Sequence, residues 1–584
     1  MILQALKEYY DRKAADPDGD IAPLGWEKKE LPFLVVIDME GVFLRFEDTR
    51  DFEGKSLRAK RFLVPSLGEA KGSGIKSNLL WENAEYMFGI PIRETSKAER
   101  IAKQHEAFKG KILSLASCPN SGGALAAVQA FITKIDLEKI KADPLWPEVE
   151  ALNQSLLLSI SGVGPVTDIL EIRDAVNHVT AASIQGNTTL CLVSGNQDVM
   201  STLEPPIRGV QGASTMGAHL VAVNNKVSES GNGGATPAFA SFMKEQGANS
   251  PIGKTASLAY TTALNTLLGR DSRQKLQVGD ATTVFWSSRQ SAFEDDFGDF
   301  FAEPPKDDPD RLTNAVATLY NSIDNGTLAV DSGDTRFYVL GLAPNAARIA
   351  VRFWHSATVQ ELALHICAYF EDLRIAHGKN DKEDLSLWRL LVSTAVQGKS
   401  ENIAPNLAGE TMRRILTGLP LPETLLQAAL LRIKAERDVT YPRAKLIKGC
   451  LNRKSKERKI TVSLDKQNPN VGYRLGRLFA VLEKIQQEAN PGINATIRDR
   501  FYASASSAPL TVFGNLMRLK NHHLSKLENT GRRIWFERLL GEIVSDIPDF
   551  PAHLTLDDQG RFAIGYYHQA QALWTKKSDK EENV

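Results

Sequence analysis

The period of the apolar pattern changes along this chain, and that change constrains the fold more than any other feature. Residues 31–49 (LPFLVVIDMEGVFLRFEDT) are apolar over strand lengths and break at Met39-Glu40-Gly41, which predicts two strands joined as a hairpin. Residues 56–65 (SLRAKRFLVP) read as a third strand, followed by a Gly/Ser-rich loop over 68–78 and a helix beginning near Leu79. A charged helix is expected over 93–111, and strand-like runs at 188–195 and 219–224 bracket a second Gly-rich loop, GVQGASTMG. Residues 336–354 supply two strands around a turn, and helical patterning dominates 358–436.

The tail has helical periodicity alone. Leu475, Leu478, Phe479, Leu482 and Ile485 fall on one face of a first helix. Phe513, Leu516, Met517, Leu524 and Leu527 do so on a second, and Trp535, Phe536, Leu539, Leu540 and Ile543 on a third. GYYHQAQALW, from Gly565, begins the last. The fold class expected is α+β: a mixed α/β N-terminal body followed by an all-α C-terminal helical bundle.

At 584 residues the chain is too long for one ordinary core. The expected division is an α+β domain over 1–293, an acidic linker over 294–310, and a mainly helical continuation over 311–431. A basic hinge over 432–460 then leads to a helical bundle over 461–584. The linker rests on EDDFGDFFAEPPKDDPD, with eight acids against one Lys. The hinge rests on charge: 432–459 holds eleven Lys/Arg and three acids in a protein whose 70 basic and 70 acidic residues cancel. Such a concentration either draws a polyanion across the junction or is simply a solvated basic helix and linker.

Composition excludes several classes. The N-terminal MILQALKEYYDRK reads as the start of an amphipathic helix rather than a signal peptide, and the longest apolar runs are far too short to span a bilayer. A soluble, cytoplasmic protein without a membrane partner is expected. Cys118, Cys191, Cys367 and Cys450 are 73, 176 and 83 residues apart, which fits buried or incidental thiols and offers no zinc spacing. His522-His523 lacks partners at ligand spacing, so no metal and no cofactor are expected.

Ala248-Asn-Ser-Pro-Ile-Gly-Lys254-Thr255 fits a loose phosphate-loop pattern, with Lys254 for a γ-phosphate and Thr255 for magnesium, and supplies the alternative reading of a nucleotide-dependent enzyme. Such a loop needs a buried strand directly before it, and FASFMKEQG is not one. Pro251 in a turn with Thr255 near a helix N-terminus is the plainer reading. Ser73-x-x-Lys76 and Ser241-x-x-Lys244 both fit an acyl-transfer pattern, which shows how cheap it is. Asp38 with Glu40 fits a nuclease carboxylate pair or, more simply, a hairpin end. Binding is better supported than catalysis. Gly72, Ser73, Gly74, Lys76, Ser77 and Asn78 form a loop of small residues beside cations, after a strand carrying Arg58, Lys60 and Arg61. Glycine lets backbone approach DNA closely, and Lys or Asn reach phosphates or groove acceptors. Arg208 and Gln211 stand in the second Gly-rich loop. Each loop also reads as an ordinary turn.

Several long strings carry a resemblance: LPFLVVIDMEGVFLRFEDTR, RFLVPSLGEAKGSGIKSNLLWENAEYMFG, PPIRGVQGASTMGAHLVAVN, EQGANSPIGKTASLAYTTALNTLL, STAVQGKSENIAPNLAGETMRRILTG, VTYPRAKLIKGCLNR and RFAIGYYHQAQALW. Together they resemble the large subunit of the type I-C CRISPR interference complex, Cascade, in the family's order and over nearly the whole chain. The resemblance implies a non-catalytic subunit that reads the protospacer-adjacent motif in target double-stranded DNA, assists duplex opening and R-loop stabilisation, and helps recruit the helicase-nuclease. Its implied partners are guide CRISPR RNA, the displaced single strand, the Cascade backbone and handle-binding subunits, and small-subunit copies. It directs the motif contacts to Lys76, Ser77 and Asn78 with Gly72 to Gly74, supported by Lys60, Arg61, Arg208 and Gln211. The tail resembles the family's small subunit, implying single-strand contacts at Arg518, Lys520, Lys526, Arg532 and Arg533. A separate tail product would need a non-AUG start, since no methionine stands near residues 460–462. The basic stretch then becomes the hinge between motif-reading body and bundle.

Overall fold

The computed structural model describes residues 2–17, 19–53, 56–67, 74–93, 97–116, 123–182, 186–222, 246–325, 334–346, 348–404, 406–455 and 459–574. The chain is α+β and groups into two units, Met1–Ser272 with Pro344–Ala350, and Arg273–Ala343 with Val351–Val584.

The first unit is built on a sheet in the order Phe43–Asp48, Phe33–Ile37, Ser155–Ile160, Trp81–Asn83, with Gly164–Pro165 paired to Ser155–Ile160. Phe33–Ile37 is buried at all five positions and runs parallel to Ser155–Ile160, Val35 opposite Leu158. A strand covered on both faces reads as a continuous apolar run, which is why FLVVI does not alternate. Helices Ala98–Leu113 and Ala124–Thr133 lie in the crossover and bury Phe108, Ile112, Val128 and Phe131 in the same core. The expected hairpin is present. Asp38 accepts backbone N–H bonds from Glu40 (3.1 Å) and Val42 (2.7 Å), and Gly41 takes the left-handed conformation (φ 80°). Asp38 is therefore a turn-forming carboxylate. The single strand expected over 56–65 is two: Ser56–Ala59 pairs with Arg50–Glu53, and Arg61–Pro65 pairs with Trp26–Glu30. The break falls at Lys60, whose N–H donates to Thr49 O. Near Leu79 a short strand, Trp81–Asn83, precedes the helix Ala84–Phe88.

The second unit opens with a four-stranded sheet, Lys275–Val278, Ala281–Ser287, Arg336–Asn345 and Arg348–Thr358 in chain order. The stretch 294–310, expected as an acidic linker, starts inside a short helix, Ala292–Asp296, and a 3-10 turn, Phe297–Phe300. Phe293, Phe297, Phe300 and Phe301 are buried, with the Phe297 ring 4.7 Å from Phe285 and 4.8 Å from Phe337. The aromatics anchor the segment on the sheet; Glu294 is buried with them and accepts from Ser287 and Gln274, Asp307, Asp308 and Asp310 are exposed, and burial raises the Asp296 carboxyl, helped by Asp299 and Asp295.

The basic stretch is buried over most of residues 441–452. It forms the end of the helix Glu423–Glu436 and the helix Tyr441–Lys454, which is buried nearly all round. Lys445 is 0% exposed and donates to Glu383 O at 2.5 Å. Lys448, 2% exposed, donates to Asp372 O at 3.3 Å. The buried Asp372 carboxylate takes Lys459 at 2.7 Å and Arg453 at 3.8 Å. Arg443 donates to Ser393 O and Asp438 O and pairs with Glu436. Isolated burial of these charges would be prohibitive; carbonyls and carboxylates on neighbouring segments make it tolerable.

The bundle shares that core. Helix Leu556–Trp574 packs on Tyr441–Lys454, with Gly560 beside Leu426, Ile447 and Leu451. Its main partner is Val471–Ala489, which buries Leu475, Leu478, Phe479, Leu482 and Ile485 as the periodicity predicts. The two helices approach through Gly472, Gly476 and Gly565. A Cβ on Gly476 would overlap the Phe562 carbonyl oxygen, and one on Gly565 the Tyr473 carbonyl oxygen. Arg477, fully buried, is held by Gln569, Lys466 O and Glu542. Helices Ile497–Ala505, Leu510–Ser525 and Thr530–Val544 complete the bundle.

Two predictions follow from this packing. Gly476→Ala and Gly565→Ala each destabilise the full chain by about 2 kcal/mol or more in denaturant melts, because a backbone oxygen cannot move aside as a side chain would. Gly541→Ala, with open space around its Cβ, is neutral or stabilising by up to about 1 kcal/mol, and equal effects at all three positions would contradict the close approach. The second concerns pH. Burial lowers the Lys445 ammonium from 10.5 to about 8, against the opposing pull of Asp384 and Glu383. Below pH 8 both states hold the proton and the penalty is fully present. Between about 8 and 10.5 the folded state releases it first, so stability rises with pH through that window. Lys445→Met removes a gain on the order of 2 kcal/mol. Melts of both proteins from pH 7 to pH 10 test it, and superimposable pH profiles contradict it.

Candidate nucleic-acid interface

The ribbon formed by Trp26–Glu30 and Arg61–Pro65 gathers several cations of the first unit. Its register sets Glu30 opposite Arg61 and Lys29 opposite Phe62. Arg61 pairs with Glu30 at 3.3 Å and with Asp271 at 2.7 Å. Arg208 pairs with Glu27 at 2.8 Å, and its backbone N–H donates to Asn265 Oδ1 at 2.8 Å. Lys28 pairs with Asp20, and burial with Arg61 beside it lowers its ammonium. Lys60 is exposed, its ammonium 5.7 Å from the Phe62 ring centroid. Gln211 is exposed on the loop that carries Arg208. That loop turns at Gly209 (φ 88°), where a Cβ would sit 2.6 Å from Leu268 O, so only glycine fits. Ion pairs thus join Arg208 and Arg61, 147 residues apart, to one ribbon.

The other predicted loop divides. Gly72 and Ser73 lie outside the described residues. Gly74 is exposed with open space around it, and Lys76 is half-buried. Ser77 and Asn78 are 1% and 6% exposed. Ser77 Oγ donates to Asn78 O at 2.7 Å, Lys111 Nζ donates to Ser77 O at 2.5 Å, and the Asn78 N–H donates to Glu82 at 2.9 Å. These two residues are the anchored end of the loop, drawn inward by the strand Trp81–Asn83 that follows.

The bundle cations also divide. Arg532 makes a two-point pair with Glu488 (2.9 and 2.7 Å) and stacks over Trp535 and Phe536, holding Glu488 below the usual carboxylate range. Lys526 donates to Asn490 Oδ1 at 3.3 Å, Lys520 is half-buried, and Arg518 and Arg533 are exposed. Asn490 and Glu488 close the same end of the bundle, so Lys526 and Arg532 meet there. Sequence periodicity placed Trp535 in the core; it is 41% exposed.

The phosphate-loop match lacks its geometry. A 3-10 turn, Gln246–Asn249, precedes Lys254, not a strand. The helix Lys254–Leu267 is instead capped by Asp198, which accepts the Thr255 N–H at 2.9 Å. A carboxylate fills the place a phosphate would take. Cys191, Cys367 and Cys450 are free and buried; Cys118, Ser241 and Lys244 lie outside the described residues. Among the described residues no helix is long and apolar enough to cross a membrane, and no three His, Cys, Asp or Glu gather as a metal site.

Comparison with known families places this α+β chain among the CRISPR-associated proteins. It belongs to the family described as CRISPR-associated protein (Cas_Csd1), whose model matches residues 6–574. That span makes it a Cascade-type protein and bears out the resemblance to the type I-C large subunit. No curated protein matches it.

The Asp198 cap generates a prediction. Asp198→Ala costs about 1 kcal/mol of stability as the Thr255 N–H loses its acceptor. ATP gives no saturable binding to the wild type by calorimetry; a saturable isotherm abolished by Lys254→Ala would overturn the capping account.

Proposed function

We propose that the protein is the non-catalytic large subunit of an RNA-guided surveillance complex, reading the protospacer-adjacent motif in double-stranded DNA with the ribbon edge of its first unit. It then assists duplex opening, stabilises the R-loop through its bundle, and helps recruit the helicase-nuclease. Guide RNA pairing reads the target, so the protein need read only a short motif. The observation that carries this reading is the gathering of Lys28, Lys60, Arg61 and Arg208 along one ribbon with Gln211 beside them. Their carboxylate partners do not argue against a phosphate ligand. Half-exposed ion pairs contribute about 0–1 kcal/mol, whereas each phosphate contact releases counterions and gains free energy at modest salt. Glu27, Glu30 and Asp271 hold the guanidiniums in place until phosphates replace them. Gly74 and Lys76 approach the duplex from the neighbouring loop, over a floor made by Ser77 and Asn78, and Gly72 and Ser73, outside the described residues, are proposed as contacts with them.

Binding of motif-bearing duplex by the assembled complex, measured across a salt series, tests this. Arg61→Ala and Arg208→Ala each lower affinity and reduce the slope of log K against log salt by about 1. Asn78→Ala and Lys76→Ala weaken the preference for the motif over a scrambled one. Unchanged affinity, slope and preference in all four variants would reject the assignment.

A further inference from the structure

We infer that Trp535 is a stacking platform for an unpaired nucleobase, which rests on the reading that the bundle holds displaced single-stranded DNA. The helix Thr530–Val544 buries Phe536, Leu540 and Ile543 on its inner face and leaves Ile534 (47%) and Trp535 (41%) in solvent. An exposed tryptophan is ordinarily free to change rotamer; this one is held. The Arg532 guanidinium lies 4.4 Å from its ring centroid and is itself fixed by two bonds to Glu488. Phe536 meets the indole edge-on at 4.9 Å. The indole is thus clamped from the protein side with its outer surface open. One turn earlier stands Gly531, where an added Cβ would meet only Asn529 Oδ1, so nothing crowds the approach.

Charge decides what such a platform takes. Arg538 stands three residues after Trp535 on the same side of the helix, exposed and without an ion-pair partner among the described residues; Arg533, two residues before it and equally exposed, lies toward the opposite side. Lys526 is exposed at the same end of the bundle. Glu528 and Glu537 are exposed nearby and oppose them in part. A rigid aromatic face with a cation beside it fits a base stacked on the indole and its adjoining phosphate on Arg538. Every base has a π-face, so the contact tolerates any displaced sequence. The Arg532–Glu488 pair has a positioning role: it fixes the guanidinium that holds the ring.

The test compares a fluorescein-labelled single-stranded oligothymidylate with an abasic strand of the same backbone, binding to the full chain. The wild type binds the oligothymidylate more tightly. Trp535→Ala weakens oligothymidylate binding by about fivefold or more and leaves the abasic strand unaffected, while Trp535→Phe retains most of the difference. Arg538→Ala weakens both strands and lowers the salt slope by about 0.7. If Trp535→Ala leaves oligothymidylate affinity unchanged while Arg533→Ala lowers it, the platform is refuted and the bundle reading stands. If neither variant, nor Arg518→Ala, alters binding, the bundle reading fails and takes the platform with it. A Trp535→Ala protein with unchanged DNA affinity but altered self-association would also refute it, showing a protein contact instead.

Discussion

The second unit depends on burying the helix Tyr441–Lys454 with its charges satisfied. Val359–Leu373, Leu387–Val392, Glu423–Glu436 and Leu556–Trp574 all pack on it. Because Lys445 and Lys448 donate to the carbonyls of Glu383 and Asp372, those segments are fixed in register as well as brought together. Removing a partner would strand a charge in the core, which costs far more than the loss of an exposed pair. The glycine seam between Val471–Ala489 and Leu556–Trp574 then joins the bundle to that centre. Bundle and basic helix are one core, and charge that appears in the sequence to be a ligand site is largely structural.

This explains which parts of the chain were legible in sequence. Strand runs such as FLVVI and the stripe through Leu475, Phe479 and Leu482 report burial directly, because apolar side chains have no other favourable place. Charge density does not. Lys445 and an exposed lysine look alike in sequence; only the carbonyls of Glu383 and Asp372, contributed by distant segments, separate them. The acidic stretch misled in the same way, since Phe293, Phe297, Phe300 and Phe301 anchor it while its acids dominate the composition. Trp535 erred in the opposite sense: its helical face reads as core, and the Arg532 stack that holds it at the surface is fixed by Glu488 on another helix. Of the candidate site, the grouping of Lys60, Arg61 and Arg208 was partly legible as local charge, but their shared ribbon was not.

Electrostatics of the free chain then has a plain form. Cations within the second unit's core are held by carbonyls and carboxylates of neighbouring segments, and those of the ribbon are paired with carboxylates that reach solvent. The difference is solvent. A ribbon carboxylate released from its pair is rehydrated at little cost, so the site can exchange acid for phosphate without unfolding anything. A chain of zero formal net charge has no overall attraction to nucleic acid, so any such binding has to rest on local groups.

The most direct measurement is a structure of the assembled complex on motif-bearing target DNA. The account predicts motif duplex along the ribbon, with Arg61 and Arg208 turned from Asp271 and Glu27 onto phosphates. Finding that edge against another subunit or in open solvent, with the duplex elsewhere and both ion pairs intact, would contradict it.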